Sequence, residues 1–307
     1  MTPTIVANDV SRWYGEVVGL SGASLEVHAG VTGLLGPNGA GKSTLIRILS
    51  GQIRASRGAV QVLGRPVWGN PDLFRHLGYC PEAEAIYEGW SALEFLLAML
   101  GLVGERGPDA RRRARVVLET VGLNPDDRKP MGAYSKGMRQ RAKLGQALLH
   151  EPQVLLLDEP LNGMDPLGRK QTLDLIAHWG AEGRTVLVSS HILHEIEAMT
   201  RNVALLDHGK VLAHGDVHEI RDWIEDRAHS VRLRCANPHR LAARLIELED
   251  VSGVRFAADP SVLVIETRRA DRFFERLTAL GLEPEFGISE VLPLDDDLQS
   301  VFNYLVR

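Results

Sequence analysis

The fold is decided by the stretch Gly36-Pro37-Asn38-Gly39-Ala40-Gly41-Lys42-Ser43-Thr44. It follows an apolar run at 31–35, which predicts a buried strand, and it opens a segment with helical spacing at 42–49. In the pattern G-x-x-x-x-G-K-[ST], such a strand, loop and helix place backbone N–H groups around phosphates. The whole stretch is therefore predicted to bind a nucleotide, with Lys42 reaching the terminal phosphates and the Ser43 hydroxyl ligating Mg²⁺. The alternative is an ordinary glycine-rich turn.

Composition limits the classes of protein to which the chain can belong. Its 307 residues, 44% of them hydrophobic and 24% charged, are typical of a globular protein with about two domains. The formal net charge of -5 argues against a nucleic-acid partner, because binding that polyanion normally needs a clustered basic face. Cys80 and Cys235 lie far apart in the sequence, so neither a disulfide framework nor a zinc site is expected.

The N-terminal sequence and the apolar stretches indicate whether the chain is expected to enter a membrane itself. Residues 1–10 lack the basic start and apolar run of a signal peptide, so we expect the chain to stay where it is made. The most apolar stretch, 92–103, contains Glu94 and is well short of the roughly 18 residues that span a bilayer. Any membrane role is therefore expected to come through a partner.

Two acidic residues follow a second apolar run. Residues 154–157 predict a buried parallel strand, and Asp158 and Glu159 come directly after it. Ligands of open α/β sheets bind at such strand ends. We predict that Asp158 holds Mg²⁺ through its second shell and that Glu159 orients or deprotonates the attacking water, a role worth about 10²–10⁴-fold in rate. The alternative is a solvated acidic turn.

Periodic patterns elsewhere predict the rest of an α/β core and a helical subdomain. Further core strands are expected at 5–10, 20–27 and 185–189. Helical spacing at 91–102 and 109–121 precedes a turn-rich segment at 122–132 and indicates a helical subdomain at about 84–150. The predicted nucleotide-binding domain spans residues 1–225.

The C-terminal residues, 226–307, predict a small α+β domain. Strands are expected at 231–235, 251–256, 262–267 and near 288–292, with helices at 239–248 and 271–280. That order resembles a ferredoxin-like βαββαβ unit. A last amphipathic segment, 298–306, would cover it, and no motif indicates what the domain does.

One further motif identifies the class of nucleotide site. The segment Tyr134-Ser135-Lys136-Gly137-Met138-Arg139-Gln140-Arg141 lies shortly before Asp158 and resembles the signature motif of ABC ATPases, usually L-S-G-G-Q. Ser135 and Gly137 match the usual form and are the positions that contact the γ-phosphate in that family. The resemblance extends over about residues 4–221.

The resemblance implies roles for three further residues. Tyr14 corresponds to the aromatic that stacks on adenine, with Trp13 as the nearby substitute, although a lone aromatic is more often part of a core. Asp165 falls in the D-loop, which crosses to the other subunit in the family. His191 corresponds to the switch histidine that contacts the γ-phosphate, the alternative being a capping or buried histidine.

Glu82 departs from the family pattern. It follows Gly78-Tyr79-Cys80-Pro81, where the family usually has a glutamine that links the Mg²⁺ site to the membrane subunit. The oxygen that could ligate Mg²⁺ is kept, but the added charge would cost about 4 kcal/mol at ~4 Å from a phosphate in an effective dielectric near 20. Mg²⁺ or Lys136 of an opposing subunit would offset that cost. The hypothesis is that Glu82 still couples the site to the partner.

The function implied by the resemblance is ATP hydrolysis that powers a membrane transporter. Two copies would face head to tail and would drive a separate integral membrane permease from the cytoplasmic face of the membrane. The motifs 134–138 and 162–166 are most similar to those of ABC-2-type exporters. Two alternatives are a soluble ABC-type ATPase that acts as a mechanical clamp and a module that senses ATP without hydrolysing it.

Overall fold

The computed structural model describes residues 2–83, 86–222 and 229–294. The chain forms two compact units, Met1–Asp216 and Val217–Arg307. The predicted boundary at 225/226 and the predicted segment 298–306 lie outside the described residues.

The first unit is built from two sheets and a set of helices. Its strands are β1 Ile5–Tyr14, β2 Val17–Val27, β3 Gly30–Leu35, β4 Arg57–Val62, β5 Arg65–Pro66, β6 Leu77–Cys80, β7 Val154–Asp158, β8 Thr185–Ser190, β9 Asn202–Asp207 and β10 Lys210–Asp216. Its helices are α1 Lys42–Leu49, α2 Ala92–Leu102, α3 Pro108–Thr120, α4 Lys136–Leu148, α5 Pro166–Ala181 and α6 Leu193–Glu197, with 3₁₀ turns at Pro71–His76 and Met131–Ala133.

The larger sheet of this unit carries the nucleotide-site motifs. Its order is β10-β9-β3-β8-β7-β6, parallel from β9 to β6, with β10 antiparallel to β9. Every residue of β7 and β8 is buried, which explains their continuous apolar sequences. Helix α1 packs against β7, and α5 packs against β3 and β8. The carboxyl ends of β3, β7 and β8 therefore meet at one edge of the sheet.

The smaller sheet is antiparallel, in the order β2-β1-β4-β5, and shares a core with α1. Strand β1 runs beyond the predicted 5–10 as far as Tyr14. Its register with β2 shifts between Ala7 and Val10 and again before Trp13. These irregularities break the period-two pattern, which is why the sequence predicted only the first half of the strand.

Helices α2, α3 and α4 pack on one another and form the predicted helical subdomain. Glu94, which interrupts the apolar stretch, belongs to a capping box at the start of α2. Its carboxylate accepts the backbone N–H of Ser91 at 2.8 Å, and its own N–H donates to the Ser91 hydroxyl at 3.3 Å. In the described residues, no helix is both long and apolar enough to cross a bilayer.

The second unit has the predicted βαββαβ order after a short first helix. Its elements are α7 Val217–Asp222, β11 His229–Cys235, α8 Pro238–Ile246, β12 Val251–Phe256, β13 Val262–Thr267, α9 Ala270–Gly281 and β14 Ile288–Pro293. The strands form one antiparallel sheet in the order β12-β13-β11-β14. Leu241 and Leu245 of α8 and Phe273 and Leu277 of α9 pack on this sheet and form the core of the unit.

Candidate functional site

The glycine-rich loop joins β3 to α1 at the carboxyl edge of the larger sheet. Gly41 has a φ of 107°, in the left-handed region that favours glycine, and it is the N-cap of α1. A Cβ atom on Gly36 would lie 2.1 Å from the carbonyl oxygen of Leu206, so no other residue fits without movement of β9. The loop thus keeps the glycine-dependent shape that the pattern predicts.

Lys42 lies inside the curve of this loop. Its side chain is only 7% exposed, and its Nζ donates to the carbonyl oxygens of Gly36 at 2.7 Å and Pro37 at 3.2 Å. The same Nζ lies 3.7 Å from Oε1 of Glu159. The ammonium group therefore stands between the loop and the end of β7.

Asp158 and Glu159 are held at the end of β7 by Ser189 of β8. The Ser189 hydroxyl donates to Oδ1 of Asp158 at 2.7 Å and accepts the backbone N–H of Glu159 at 2.9 Å. Glu159 has a φ of 46°, which is uncommon for a residue other than glycine and which the hydrogen bond at its N–H helps to maintain. Ser189 was not among the predicted site residues, because only the pairing of β7 with β8 brings it beside the carboxylates.

Glu159 and His191 form a pair at the same edge. Nδ1 of His191 lies 3.1 Å and 3.0 Å from the two carboxylate oxygens of Glu159. Burial raises the pKa of the Glu159 carboxyl, while His191 and Lys42 lower it. Glu82 also raises the pKa of Glu159, because its carboxylate is close enough to act on that charge. The Glu82 side chain itself is exposed.

The oxygen donors at this edge are chemically suited to Mg²⁺. Ser43 lies in the first turn of α1, which packs against β7, and Asp158 ends β7 with its side chain 1% exposed. A hydroxyl and carboxylates are the hard oxygen ligands that Mg²⁺ prefers in proteins. The residues present therefore fit the ion.

Tyr14 ends β1 next to the glycine-rich loop. A Cβ atom on Gly19 would lie 2.9 Å from Cε2 of Tyr14 and 3.3 Å from the Thr44 hydroxyl, so these two side chains flank Gly19 together. The Tyr14 ring is 41% exposed, and the Arg12 guanidinium lies 4.9 Å from its centroid. Arg12 was not among the predicted residues, because no motif marks it and arginine is a common surface residue.

The signature segment and the D-loop lie against each other. Ser135 is the N-cap of α4, and its hydroxyl accepts the N–H of Met138 at 3.2 Å. A Cβ atom on Gly137 would lie 3.3 Å from the carbonyl oxygen of Gly163 and 3.3 Å from Cα of Met164, just before Asp165 at the N-cap of α5.

Within one copy, hydrogen bonds and ion pairs of the described residues do not join the signature segment to the phosphate loop. Among the hydrogen bonds and ion pairs of residues 2–83, 86–222 and 229–294, none joins Ser135 or Gly137 to the loop at 36–44. The structure thus brings Lys42, Asp158, Glu159 and His191 together but not the signature residues.

Comparison with known proteins places this arrangement in a family. A family described as ABC transporter matches residues 20–162. An uncharacterised ABC transporter ATP-binding protein of Nostoc sp. is 40% identical over 230 residues, which cover 71% of this chain and 68% of that protein. The daunorubicin/doxorubicin resistance ATP-binding protein of Streptomyces peucetius is 32% identical over 287 residues, covering 92% of this chain and 87% of that protein.

Solved structures agree with this placement. An ATP-binding subunit of an ABC transporter superposes with a TM-score of 0.65 at 30% identity, over 73% of this chain and 93% of that chain. A dimeric ATP-binding cassette bound to ADP and Pi shares the fold, with a TM-score of 0.62 at 22% identity over 69% of this chain and 98% of its own. The chain therefore belongs to the family of ABC transporter ATP-binding proteins, the nucleotide-binding subunits whose ATP hydrolysis powers transport.

Proposed function

We propose that this chain is the ATPase subunit of an exporter, that it acts on a separate integral membrane permease, and that it sits at the cytoplasmic face of the membrane. The observation that carries the ATPase part is the group formed by Lys42, Glu159 and His191, in which the Glu159 carboxylate lies between two basic side chains. Export is supported by the relative named for daunorubicin/doxorubicin resistance, which matches most of this chain.

In the proposed mechanism, the loop at 36–44 and Lys42 bind the phosphates of ATP. The ammonium that now bonds the carbonyls of Gly36 and Pro37 would turn to the terminal phosphates. Glu159 would then orient the attacking water and accept its proton, while Ser189 fixes the backbone N–H of Glu159. His191 would move from the Glu159 carboxylate to the γ-phosphate.

Mg²⁺ is proposed as the cofactor that accompanies ATP. The Ser43 hydroxyl, the Asp158 carboxylate and the Glu82 carboxylate are the groups that would hold it. When bound, the ion neutralises charge on the phosphates that are transferred or released. Ser189 fixes one oxygen of Asp158 and so limits how that carboxylate can turn.

A second copy of the chain is proposed to complete each site. Ser135 and Gly137 form no hydrogen bond with the phosphate loop of their own chain in the described residues, and Ser135 is exposed. In a head-to-tail pair, Ser135, Gly137 and Asp165 of one copy would contact the nucleotide on the other. The dimeric cassette with the same fold supports this arrangement.

The proposed domains are a nucleotide-binding domain at residues 1–225, with its helical subdomain at about 84–150, and an accessory domain at 226–307. The compact units Met1–Asp216 and Val217–Arg307 support a division in this region. The second unit has its own apolar core, as expected of a separate domain.

Copurification tests the transporter assignment. The tagged full chain, extracted from native membranes in mild detergent, is expected to retain an integral membrane protein whose presence changes its ATPase rate. Recovery without any membrane protein, or with a ribosome or DNA instead, would favour the soluble clamp over the transporter.

Substitution of Glu82 tests whether this carboxylate couples the site to the partner. We expect Glu82→Ala to lower ATP turnover and transport by about 10-fold, because it removes an oxygen from the proposed Mg²⁺ site. Glu82→Gln keeps an oxygen and should retain most of the activity. Steady-state ATPase assays with the permease present measure the effect, and Glu26→Gln, at an exposed position of β2, is the control. Equal rates and transport in all forms would exclude the coupling role.

Substitution of Tyr14 tests the adenine contact. We expect Tyr14→Ala to weaken ATP binding by about 5- to 150-fold, the equivalent of ~1–3 kcal/mol of stacking. Arg12→Ala should weaken it by only about 2- to 5-fold, since an exposed cation–π contact is worth ~0.5–1 kcal/mol. Equilibrium binding measures both changes. Trp13→Ala is the matched control, and a larger loss there would assign the stacking to Trp13.

A further inference from the structure

Lys143 of α4 is a buried lysine whose ammonium group faces the segment that carries Glu82. Its relative exposure is 1%, among the lowest of any large side chain in the described residues. Nζ donates to three successive carbonyl oxygens, those of Pro81 at 2.8 Å, Glu82 at 3.0 Å and Ala83 at 3.0 Å. The chain therefore curls around the ammonium group at the position where the sequence departs from the family pattern.

This arrangement fixes the backbone of 81–83 strongly. An ammonium group has three N–H donors, and three carbonyls converge on it here. A buried charge is tolerated only when it is paired or fully hydrogen-bonded, so the lysine and the three carbonyls hold one another in place. Loss of the ammonium would remove the donor that the three carbonyl oxygens share.

The same face of α4 also contacts the end of β7. Gln140, 4% exposed and one turn before Lys143, has its Nε2 3.8 Å from Sγ of Cys80 and 3.5 Å from the carbonyl oxygen of Glu159. Helix α4 begins directly after Ser135, so one rigid helix joins the signature residue, the backbone of Glu159 and the segment at 81–83.

The positive charge of Lys143 gives it a second role beside Glu82. Glu82 adds a negative charge where the family pattern has a neutral glutamine. The Lys143 ammonium is hydrogen-bonded to the backbone carbonyl of Glu82 itself, which brings a positive charge of the same chain to this residue.

We propose that Lys143 is a positioning residue that holds the 81–83 segment to helix α4, which begins in the signature segment. Its ammonium group also compensates the charge of Glu82. Movement of α4 would therefore move Glu82 with it. This inference rests on the proposed role of Glu82 in coupling. Lys143 would add a positive charge of the same chain to those expected from Mg²⁺ and from Lys136 of an opposing subunit.

A double-mutant cycle on the full chain tests the proposal. The variants are Lys143→Met, Glu82→Gln and the combination, because methionine keeps the packing of the lysine stem without the charge. We expect Lys143→Met to lower kcat by about 10-fold or more with KM for ATP changed by less than about 3-fold. In the Glu82→Gln background the loss should shrink to about 3-fold, because the carboxylate that needs compensation is gone.

Two further variants separate this role from simple support of the fold. Lys143→Arg keeps the charge and donors and is expected to recover most of the turnover lost in Lys143→Met. Lys170→Met, at an exposed position of α5, should match the unmodified chain. If Lys143→Met does not fold, as judged by thermal unfolding, Lys143→Gln takes its place in the cycle. Its loss of kcat should likewise be smaller in the Glu82→Gln background.

The outcomes are distinguishable. An equal loss of kcat in both backgrounds would overturn the proposal and leave Lys143 as a structural residue only. If Glu82→Ala alone has no effect on turnover or transport, the proposed role of Glu82 fails as well. A smaller loss in the Glu82→Gln background, together with rescue by Lys143→Arg, supports the inference.

Discussion

Replacement of Glu159 by glutamine is expected to lower ATP turnover by about 10²–10⁴-fold while ATP binding is retained. Glutamine keeps the size of the side chain but cannot accept a proton from the attacking water. The backbone N–H of Glu159 would still donate to Ser189, so the end of β7 should keep its shape. The loss would therefore fall on the chemical step.

The substitution should also strengthen the ATP-bound dimer. Without hydrolysis, each nucleotide remains between two copies, and the pair persists for as long as ATP is bound. Steady-state ATPase assays, equilibrium ATP binding and size-exclusion chromatography with and without ATP measure these effects. Glu26→Gln, an exposed glutamate of β2, is the matched control and should behave as the unmodified chain.

The result separates an ATPase from an ATP sensor. A module that only senses ATP should dimerise equally before and after Glu159→Gln, since it has no chemical step to lose. Retention of full turnover in Glu159→Gln would show instead that another group handles the attacking water. His191, 3.0 Å from the carboxylate, would then be the first residue to test.

The sequence predicted the parts of the site that short segments encode. The loop at 36–44 and the carboxylates that follow β7 were predicted because each consists of consecutive residues next to an apolar run. Burial of both faces of β7 and β8 left a continuous hydrophobic signal that marked the strands. The strands of the second unit lack this continuous burial, since β12 and β14 include exposed residues, and their βαββαβ order was predicted from short strand and helix patterns instead.

The supporting residues depend on contacts that are distant in sequence. Ser189 reaches Asp158 only because β8 pairs with β7, and Lys143 reaches Glu82 only because α4 packs on β6. Serine and lysine are common in surface positions, so neither stands out in a single sequence. Glu94 differs from these two residues because its partner Ser91, with which it caps the start of α2, is local in sequence.

The proposed sharing of each site between two copies gives the second large effect. We expect Lys42→Met and Ser135→Asp each to lower ATP turnover by at least about 10²-fold. The first variant loses the ammonium group that binds the phosphates, and the second adds a carboxylate that repels them. Aspartate is as good an N-cap as serine, so Ser135→Asp should preserve α4. Ser135→Asn, a neutral cap, is the control for the added charge.

Mixing these two inactive variants should restore activity. In a mixed head-to-tail pair, one site carries both substitutions, but the other combines the intact loop of one chain with the intact signature of its partner. Random pairing of equal amounts should give about a quarter of the original turnover if the sites act independently. The measurement is the ATPase rate of the mixture against that of each variant alone. No recovery on mixing would contradict a site shared between copies.

A second mixture shows which residues belong to the same half of the site. Lys42 and Glu159 lie 3.7 Å apart within one chain, so they should always serve the same nucleotide. In a mixed pair of Lys42→Met and Glu159→Gln, each site therefore carries one damaged residue, and no activity should return. Because this mixture contains the same Lys42 variant and the same head-to-tail arrangement, recovery only with Ser135→Asp would assign the signature to the opposing copy.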